Sequence, residues 1–325
     1  MKAVIVENYG GPEVLTIQNV AMPTPKSNEI LIKIKATSVT RASGMMREGK
    51  PYFGRLFTGL TRPKVKTPGT DLAGIVTAIG SSVSRFNIGD KVMAETTLSC
   101  GAYAEYICLP ENELIVIQPE NISAAEATGI LDGACTSLAF FTDQVKIKKG
   151  DKVLINGASG SIGTAAIQLA KHFGAEVSAV CSGKNKALVK DLGADQVFDY
   201  TKNEFELSAD SFDVIFDTVG TFSYCKSKAH LNINGTFMTP VLSLFVILSM
   251  LFISPFSKKK LKFEATGLRK KELQMRDLLK VRELLVKNEL KTVIDKVYSL
   301  NQVQAAHTYV DTGRKRGNVI LVKEL

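Results

Sequence analysis

The 325-residue chain has no tryptophan, three histidines and five cysteines, and each scarcity removes a class of function. Cys100, Cys108, Cys135, Cys181 and Cys225 are odd in number and contain no Cys-x-x-Cys pair, which speaks against a disulfide framework and a thiolate zinc site. His172, His230 and His307 show no ligand spacing and read as structural or solvated residues. The opening MKAVIVENYG meets Glu7 too soon to hold a secretory apolar segment, so a reducing cytoplasm is the expected compartment. Long apolar runs are also missing. The one unusual stretch, charge-free VLSLFVILSMLFISPF at 241–256, is bounded by Pro240 and broken by Pro255 and falls short of the roughly 20 residues of a spanning helix. It reads as a buried or substrate-covering helix. Weak membrane-surface contact through 241–262 is the competing reading, with the following lysines reaching anionic head groups. The net charge of +9 resides in dispersed groups such as 258–260, 269–271 and 314–316. No aromatics interleave with them, so they read as solvated faces rather than a nucleic-acid surface.

What is present is ordinary globular composition, 45% hydrophobic and 22% charged, in a chain long enough for two cores. Residues 1–118 read as short strands at 1–7, 13–20, 29–35, 71–79, 91–95 and 102–109. The clearest is Glu29–Lys35, where Ile30, Ile32 and Ile34 alternate with mostly charged positions. The rhythm changes near Asn121, where Ser123 and Glu126 resemble a capping box. Strands then alternate with helical segments: 152–156, 176–181, 195–199, 213–217, 235–239 and 261–265, with helices at 184–192, 221–230 and 269–288. Such alternation implies an α/β fold with a doubly wound parallel sheet. The tail, with strands at 292–297 and 317–322 around a helix at 301–311, is expected to rejoin the N-terminal β region. The expected division is therefore 1–118 completed by 289–325, and 119–288 as a nucleotide-binding domain.

Ala158-Ser159-Gly160-Ser161-Ile162-Gly163 follows a predicted strand and opens a helix whose stripe is Ile162, Ala165, Ala166, Leu169 and Phe173. In that context A-x-G-x-x-G is a dinucleotide loop: Gly160 admits a pyrophosphate, the helix N-terminus offers N–H donors, and Gly163 allows close packing. The next strand ends in Ser182-Gly183-Lys184-Asn185-Lys186, without the acid that would accept a ribose hydroxyl. Ser182 and Lys186 suit a 2′-phosphate. One charge-assisted bond of about 1.5–3 kcal/mol gives a preference for NADPH over NADH of roughly ten- to a hundredfold.

These segments, with PGTDLAGIVTAIG at 68–80, NIGDKV at 87–92, GAYAEYICLPENELIVIQPENISAAEAT at 101–128 and RGNVIL at 316–321, resemble the medium-chain dehydrogenase/reductases, specifically their zinc-free quinone oxidoreductase-like branch. The resemblance spans essentially the whole chain. It implies a GroES-like domain, a Rossmann domain, a cleft between them as active site, and a homodimer. It also implies that Tyr200 closes over the 2′-phosphate, that Thr136 lies beside the nicotinamide, and that Val219-Gly220 lies near the ribose. Gly317-Asn318 stands where the family commonly has Gly-Lys. Where zinc-dependent members carry metal ligands, this chain has Ser38-Val39-Thr40 and Gly69-Thr70-Asp71, and no metal is expected.

Without a metal to polarise a ketone, hydride delivery suits an acceptor that stabilises its own negative charge, a quinone or an α,β-unsaturated carbonyl. Tyr52 is the candidate proton donor by likeness to enoyl reductases, because a phenol carries its proton at neutral pH. Thr40 is the candidate for holding the acceptor oxygen. An enoyl thioester or lipophilic enone is the alternative acceptor, with 241–256 as an acyl-facing wall. An NADPH-binding sensor or membrane-associated protein with little catalysis is the reading outside enzymology.

Overall fold

A computed structural model describes residues 1–202 and 207–323. The strands are β1 (Lys2–Ile5), β2 (Thr16–Asn19), β3 (Glu29–Val39), β4 (Asp71–Ile79), β5 (Lys91–Glu95), β6 (Tyr106–Pro110), β7 (Leu114–Ile117), β8 (Lys152–Asn156), β9 (Glu176–Cys181), β10 (Gln196–Asp199), β11 (Phe212–Asp217), β12 (Leu231–Thr239), β13 (Lys260–Phe263), β14 (Ile294–Ser299) and β15 (Asn318–Val322). The helices are α1 (Arg41–Glu48), α2 (Arg55–Thr58), α3 (Ala124–Ala139), α4 (Ser161–His172), α5 (Lys186–Asp191), α6 (Tyr224–Ser227), α7 (Leu244–Leu248), α8 (Lys271–Val286) and α9 (Val303–Asp311). The chain divides into two compact units, Met1–Asp132 with Leu278–Leu325, and Gly133–Asp277. Both divisions fall inside helices, α3 and α8, rather than at 118/119 and 288/289.

In the first unit a sheet in the order β14-β15-β3-β4-β5-β7 is built around β3. This eleven-residue strand pairs over Ile30–Thr37 with β4, while its other edge takes β6 at Glu29–Lys33 and β15 at Ala36–Val39. Ile30, Ile32 and Ile34 enter a core with Leu72, Val76 and Ile115, as the alternation predicts. Three elements of this unit, β7, α1 and the four-residue α2, are not among those expected from the sequence. β7 is a four-residue apolar run, and α1 has a polar sequence, RASGMMRE, whose start is marked by a capping box between Thr40 and Ser43. Against α1 lies α9. Buried Arg47 donates to His307 Nδ1 at 2.9 Å, to Asp311 Oδ2 at 2.7 Å and to Gly10 O at 3.1 Å. His307 Nε2 is buried without a partner, and its ring meets Tyr103 edge-on at 5.7 Å.

The second unit holds a six-stranded sheet in the order β10-β9-β8-β11-β12-β13. All of its pairings are parallel, which makes it doubly wound with β8 at its centre. The helices expected at 184–192 and 221–230 shrink to α5 and α6, and the strand expected from 235 begins at Leu231. The charge-free stretch is not one buried helix. α7 continues into a π turn at Ser249–Ile253, and Val246, Met250 and Ile253 face a core containing Leu154, Ile215 and Phe237. Leu244, Leu251 and Phe252 stay 60–72% exposed, because apolar residues occupy the whole circumference and the sheet can cover only one side. Among the described residues no helix is long and apolar enough to cross a membrane.

Burial and the neighbouring guanidinium of Arg47 push the His307 imidazole down to about 3. The unfolded chain, with an ordinary value near 6.5, therefore binds more protons between these limits. Stability from this site is complete above pH 6.5 and is lost as pH falls toward 3, at up to about 1.4 kcal/mol per pH unit. Urea unfolding at pH 6.5 and 4.5 should show His307→Gln narrowing the difference between the two conditions by about 2 kcal/mol, even if the variant is less stable at both. An unchanged difference would mean that His307 is not buried neutral.

Candidate functional site

At the C-terminal edge of the parallel sheet, β8 delivers the glycine loop. Gly157 has φ +76°, and a Cβ there would sit 2.6 Å from Thr218 Oγ1 and Val219 Cγ1. A Cβ on Gly163 would lie 2.3 Å from Gly157 O and 2.6 Å from Ala158 Cα, so α4 can approach β8 only because this position lacks a side chain. Ala158 is fully buried and ties the loop sideways, its N–H donating to Val180 O of β9 at 3.1 Å. Gly160 caps α4 with backbone alone. The first-turn N–H groups of Ile162 and Gly163 have no carbonyl inside the helix to pair with, and the dipole of the twelve-residue helix favours an anion at this end. Ser159, Gly160, Ser161 and Ile162 thus sit together at this helix start, where the sequence reading expects a diphosphate.

The ends of β9 and β10 lie side by side. Cys181 is in register with Asp199, and Tyr200 N–H donates to Cys181 O at 3.3 Å. Ser182 and Tyr200 therefore leave the sheet from adjacent points, Ser182 half-buried and Tyr200 60% exposed. Lys186 is the exposed first residue of α5. The carboxylate of Asp199 is held by Thr201 and the Gly183 N–H, which draw its pKa below the ordinary range, so it is engaged locally. Asn185, which the sequence reading passed over, is 5% exposed and reaches Ser159 Oγ at 2.9 Å and Ser182 Oγ at 3.2 Å through Nδ2. Its only signal is position: the single uncharged polar residue amid lysines, directly before a helix.

On the other flank of β8, Asp217 is fully buried and holds the following turn. It accepts from Asn156 Nδ2 at 2.9 Å and from the N–H groups of Val219, Gly220 and Phe222 at 3.2, 3.0 and 2.8 Å. Burial raises its carboxyl pKa and these donors oppose the rise. Val219 is thereby fixed beside Gly157, with its side chain 50% exposed. Thr136, 5% exposed on α3, lies 3.3 Å from Thr266 Oγ1, so its hydroxyl meets a second side chain. A dinucleotide fits this edge: the cradle admits phosphates, a hydroxyl and a lysine stand where an acid is absent, and Asn185 Oδ1 is left buried without a partner.

In the first unit Thr40 is the N-cap of α1. Its Oγ1 accepts from Ser43 N–H at 3.1 Å, which leaves its own hydrogen available to donate. Tyr52 lies in a short turn beyond the other end of α1 and is 69% exposed, with the Arg55 guanidinium 5.0 Å from its ring centre. The eight residues of α1 lie between the two candidates along the chain, and no hydrogen bond joins them among the described residues. Next to Thr40, Ser38 Oγ donates to Asp71 Oδ2 at 2.5 Å, and Thr37 Oγ1 donates to Asp71 O at 2.6 Å. Burial, reinforced by repulsion from Asp132 and Glu95, holds the Asp71 carboxyl well above the usual carboxylate range. Among the described residues no group of three histidine, cysteine or acidic side chains could hold a metal ion.

A family model described as the alcohol dehydrogenase GroES-like domain matches residues 26–119, and one described as zinc-binding dehydrogenase matches 192–321. A chloroplastic quinone-oxidoreductase homolog from Spinacia oleracea is 32% identical over 99% of this chain and 98% of its own length. The chloroplastic NADPH-dependent alkenal/one oxidoreductase of Arabidopsis thaliana is 34% identical over 68% of this chain and 58% of its own length. The structure of the quinone oxidoreductase from Coxiella burnetii superposes with a TM-score of 0.86 at 28% identity, covering 99% of each chain. The GroES-like sheet, the Rossmann-type sheet and the glycine loop agree with these matches, and the chain belongs to the medium-chain dehydrogenase/reductase superfamily, in its quinone oxidoreductase-like branch.

Proposed function

We propose that the chain is a zinc-independent reductase that transfers a hydride from NADPH to a quinone or an activated alkene. The observation that carries this reading is the edge of the parallel sheet, where a glycine cradle adjoins Ser182 and Lys186 with no acid ending β9. The relatives named for quinones and for NADPH-dependent alkenal/one reduction support it. Ser159 to Gly163 would hold the diphosphate, Ser182, Lys186 and Tyr200 the 2′-phosphate, and Thr136 and Val219 the nicotinamide half. When bound, NADPH supplies the hydride. Thr40 Oγ1 keeps a hydrogen to offer an oxyanion, and Tyr52 supplies the proton for the alkene carbon or quinone oxygen. The acceptor delocalises its own charge, which suits a chain that has Ser38, Thr40 and Asp71 where zinc-dependent members have ligands.

Homodimerisation belongs to the same reading. β13 is an edge strand, and Leu251, Phe252 and Phe256 just before it are 60–89% exposed, an apolar face suited to a second copy. A lipid surface is the competing occupant, because Lys258, Lys260 and Lys262 are exposed beside that face. A cytoplasmic setting is supported by five free cysteines.

With chelator present, purified protein should oxidise NADPH in the presence of an ortho-quinone or a 2-alkenal, with kcat/KM for NADPH roughly ten- to a hundredfold above that for NADH. Loss of turnover on chelation, restored by zinc, would overturn the zinc-independent assignment. Tyr52→Phe should lower kcat on the 2-alkenal by about tenfold or more while leaving the affinity for NADPH unchanged, and unaltered kcat would remove Tyr52 from proton transfer. Light scattering should give twice the chain mass, reduced to one mass by Leu251→Asp with Phe252→Asp. A monomeric wild type that floats with anionic vesicles would assign the face to lipid.

A further inference from the structure

Asn185 is enclosed in the second unit, yet it is not spent on the fold alone. Its backbone N–H closes the turn onto Ser182 O at 2.9 Å, and its side chain spans two segments 26 and 3 residues away, at Ser159 and Ser182. Ser159 belongs to the loop between β8 and α4, and Ser182 ends β9. An amide Nδ2 carries two hydrogens and cannot accept, so both serine oxygens must be acceptors toward it. Each hydroxyl has one hydrogen, and with a lone pair engaged by Asn185 that hydrogen is free to point elsewhere. The amide orientation is itself constrained: turned over, it would bury two N–H donors in place of one unpartnered acceptor, Oδ1.

We propose that Asn185 is a positioning residue for NADPH, which fixes Ser159 and Ser182 as hydrogen-bond donors directed at the cofactor's diphosphate and 2′-phosphate. The inference rests on the NADPH reading above and adds how the chain prepares for the anion before it arrives. Phosphate oxygens only accept, so a serine whose hydrogen is turned inward presents a lone pair and repels, whereas one held as a donor attracts. A single buried amide orders both hydroxyls together. Serine and lysine at the strand end supply the groups, and asparagine sets their polarity. The charge of the ligand is thereby matched at two phosphates by one side chain that touches neither.

The test is calorimetric binding to the whole chain of NADP⁺, NAD⁺ and 2′,5′-ADP, with no turnover needed. Asn185→Ala should raise the Kd of NADP⁺ and of 2′,5′-ADP about tenfold and that of NAD⁺ by a smaller factor, since NAD⁺ reports only the Ser159 arm. Asn185→Asp should cost about a hundredfold for NADP⁺, because a carboxylate would draw both hydroxyl hydrogens inward and add negative charge. In a Ser182→Ala background the excess loss for NADP⁺ over NAD⁺ on adding Asn185→Ala should vanish, which a purely structural role would not produce. Equal losses for the three ligands, or an excess that persists without Ser182, would overturn the proposal and leave the NADPH reading intact. Failure of the wild type to bind NADP⁺ would overturn both. If the Asn185 variants do not fold, the Asn185 side-chain amide resonances of asparagine-labelled wild type decide. They should shift on addition of 2′,5′-ADP and much less with 5′-AMP, and no shift with either counts against the proposal.

Discussion

A carboxylate withdrawn from water must find donors, and Asp217 finds them in Asn156 and in three N–H groups of the turn after β11. That requirement joins the ends of the two central strands. It sets Val219 against Gly157, and the glycine loop can then leave β8 in only one direction. On the opposite side the loop is pinned by Ala158 N–H on Val180 O and by Asn185 on Ser159. The cradle is therefore clasped from both neighbouring strands, by an acid on one side and an amide on the other. Preorganised donors of this kind bind an anion without first having to order themselves.

In the first unit a buried polar cluster gathers at the end of β3. Ser38 and Asp71 pair at 2.5 Å, Tyr103 donates to Ser38 O at 3.1 Å, and Tyr103 also lies 3.2 Å from Ser43 Oγ. These groups satisfy one another. Thr40 differs from them: as the cap of α1 its oxygen accepts from Ser43 N–H, and its own hydrogen is not used by that bond.

Most of the second unit was legible because its signals are local. A strand buried on both faces reads as an apolar run, and a glycine loop between strand and helix has few other meanings. Ile30, Ile32 and Ile34 likewise announced β3 through period two. What escaped has a different physical origin. Asn185 and Asp217 matter through partners about 26 and 61 residues away, and no window along the chain can see such bonds. Helix α1 was hidden because its sequence is polar and its start is written in a threonine–serine cap. The burial expected for 241–256 failed for a simpler reason. An all-apolar sequence states that a segment can be covered, while the extent of covering depends on how many neighbours the sheet supplies.

The double partnership of β3 bears on the order in which the protein is made. One edge of this early strand is shared between β6 and β15, and β15 is Asn318–Val322. Those residues are made after the whole of Gly133–Asp277. The Gly133–Asp277 unit is contiguous and has its six strands in hand before then, whereas the sheet begun at Glu29 must wait with part of an edge unfilled until β15 has been made. The Gly133–Asp277 unit can thus mature first, and the sheet that β3 begins is completed only after it.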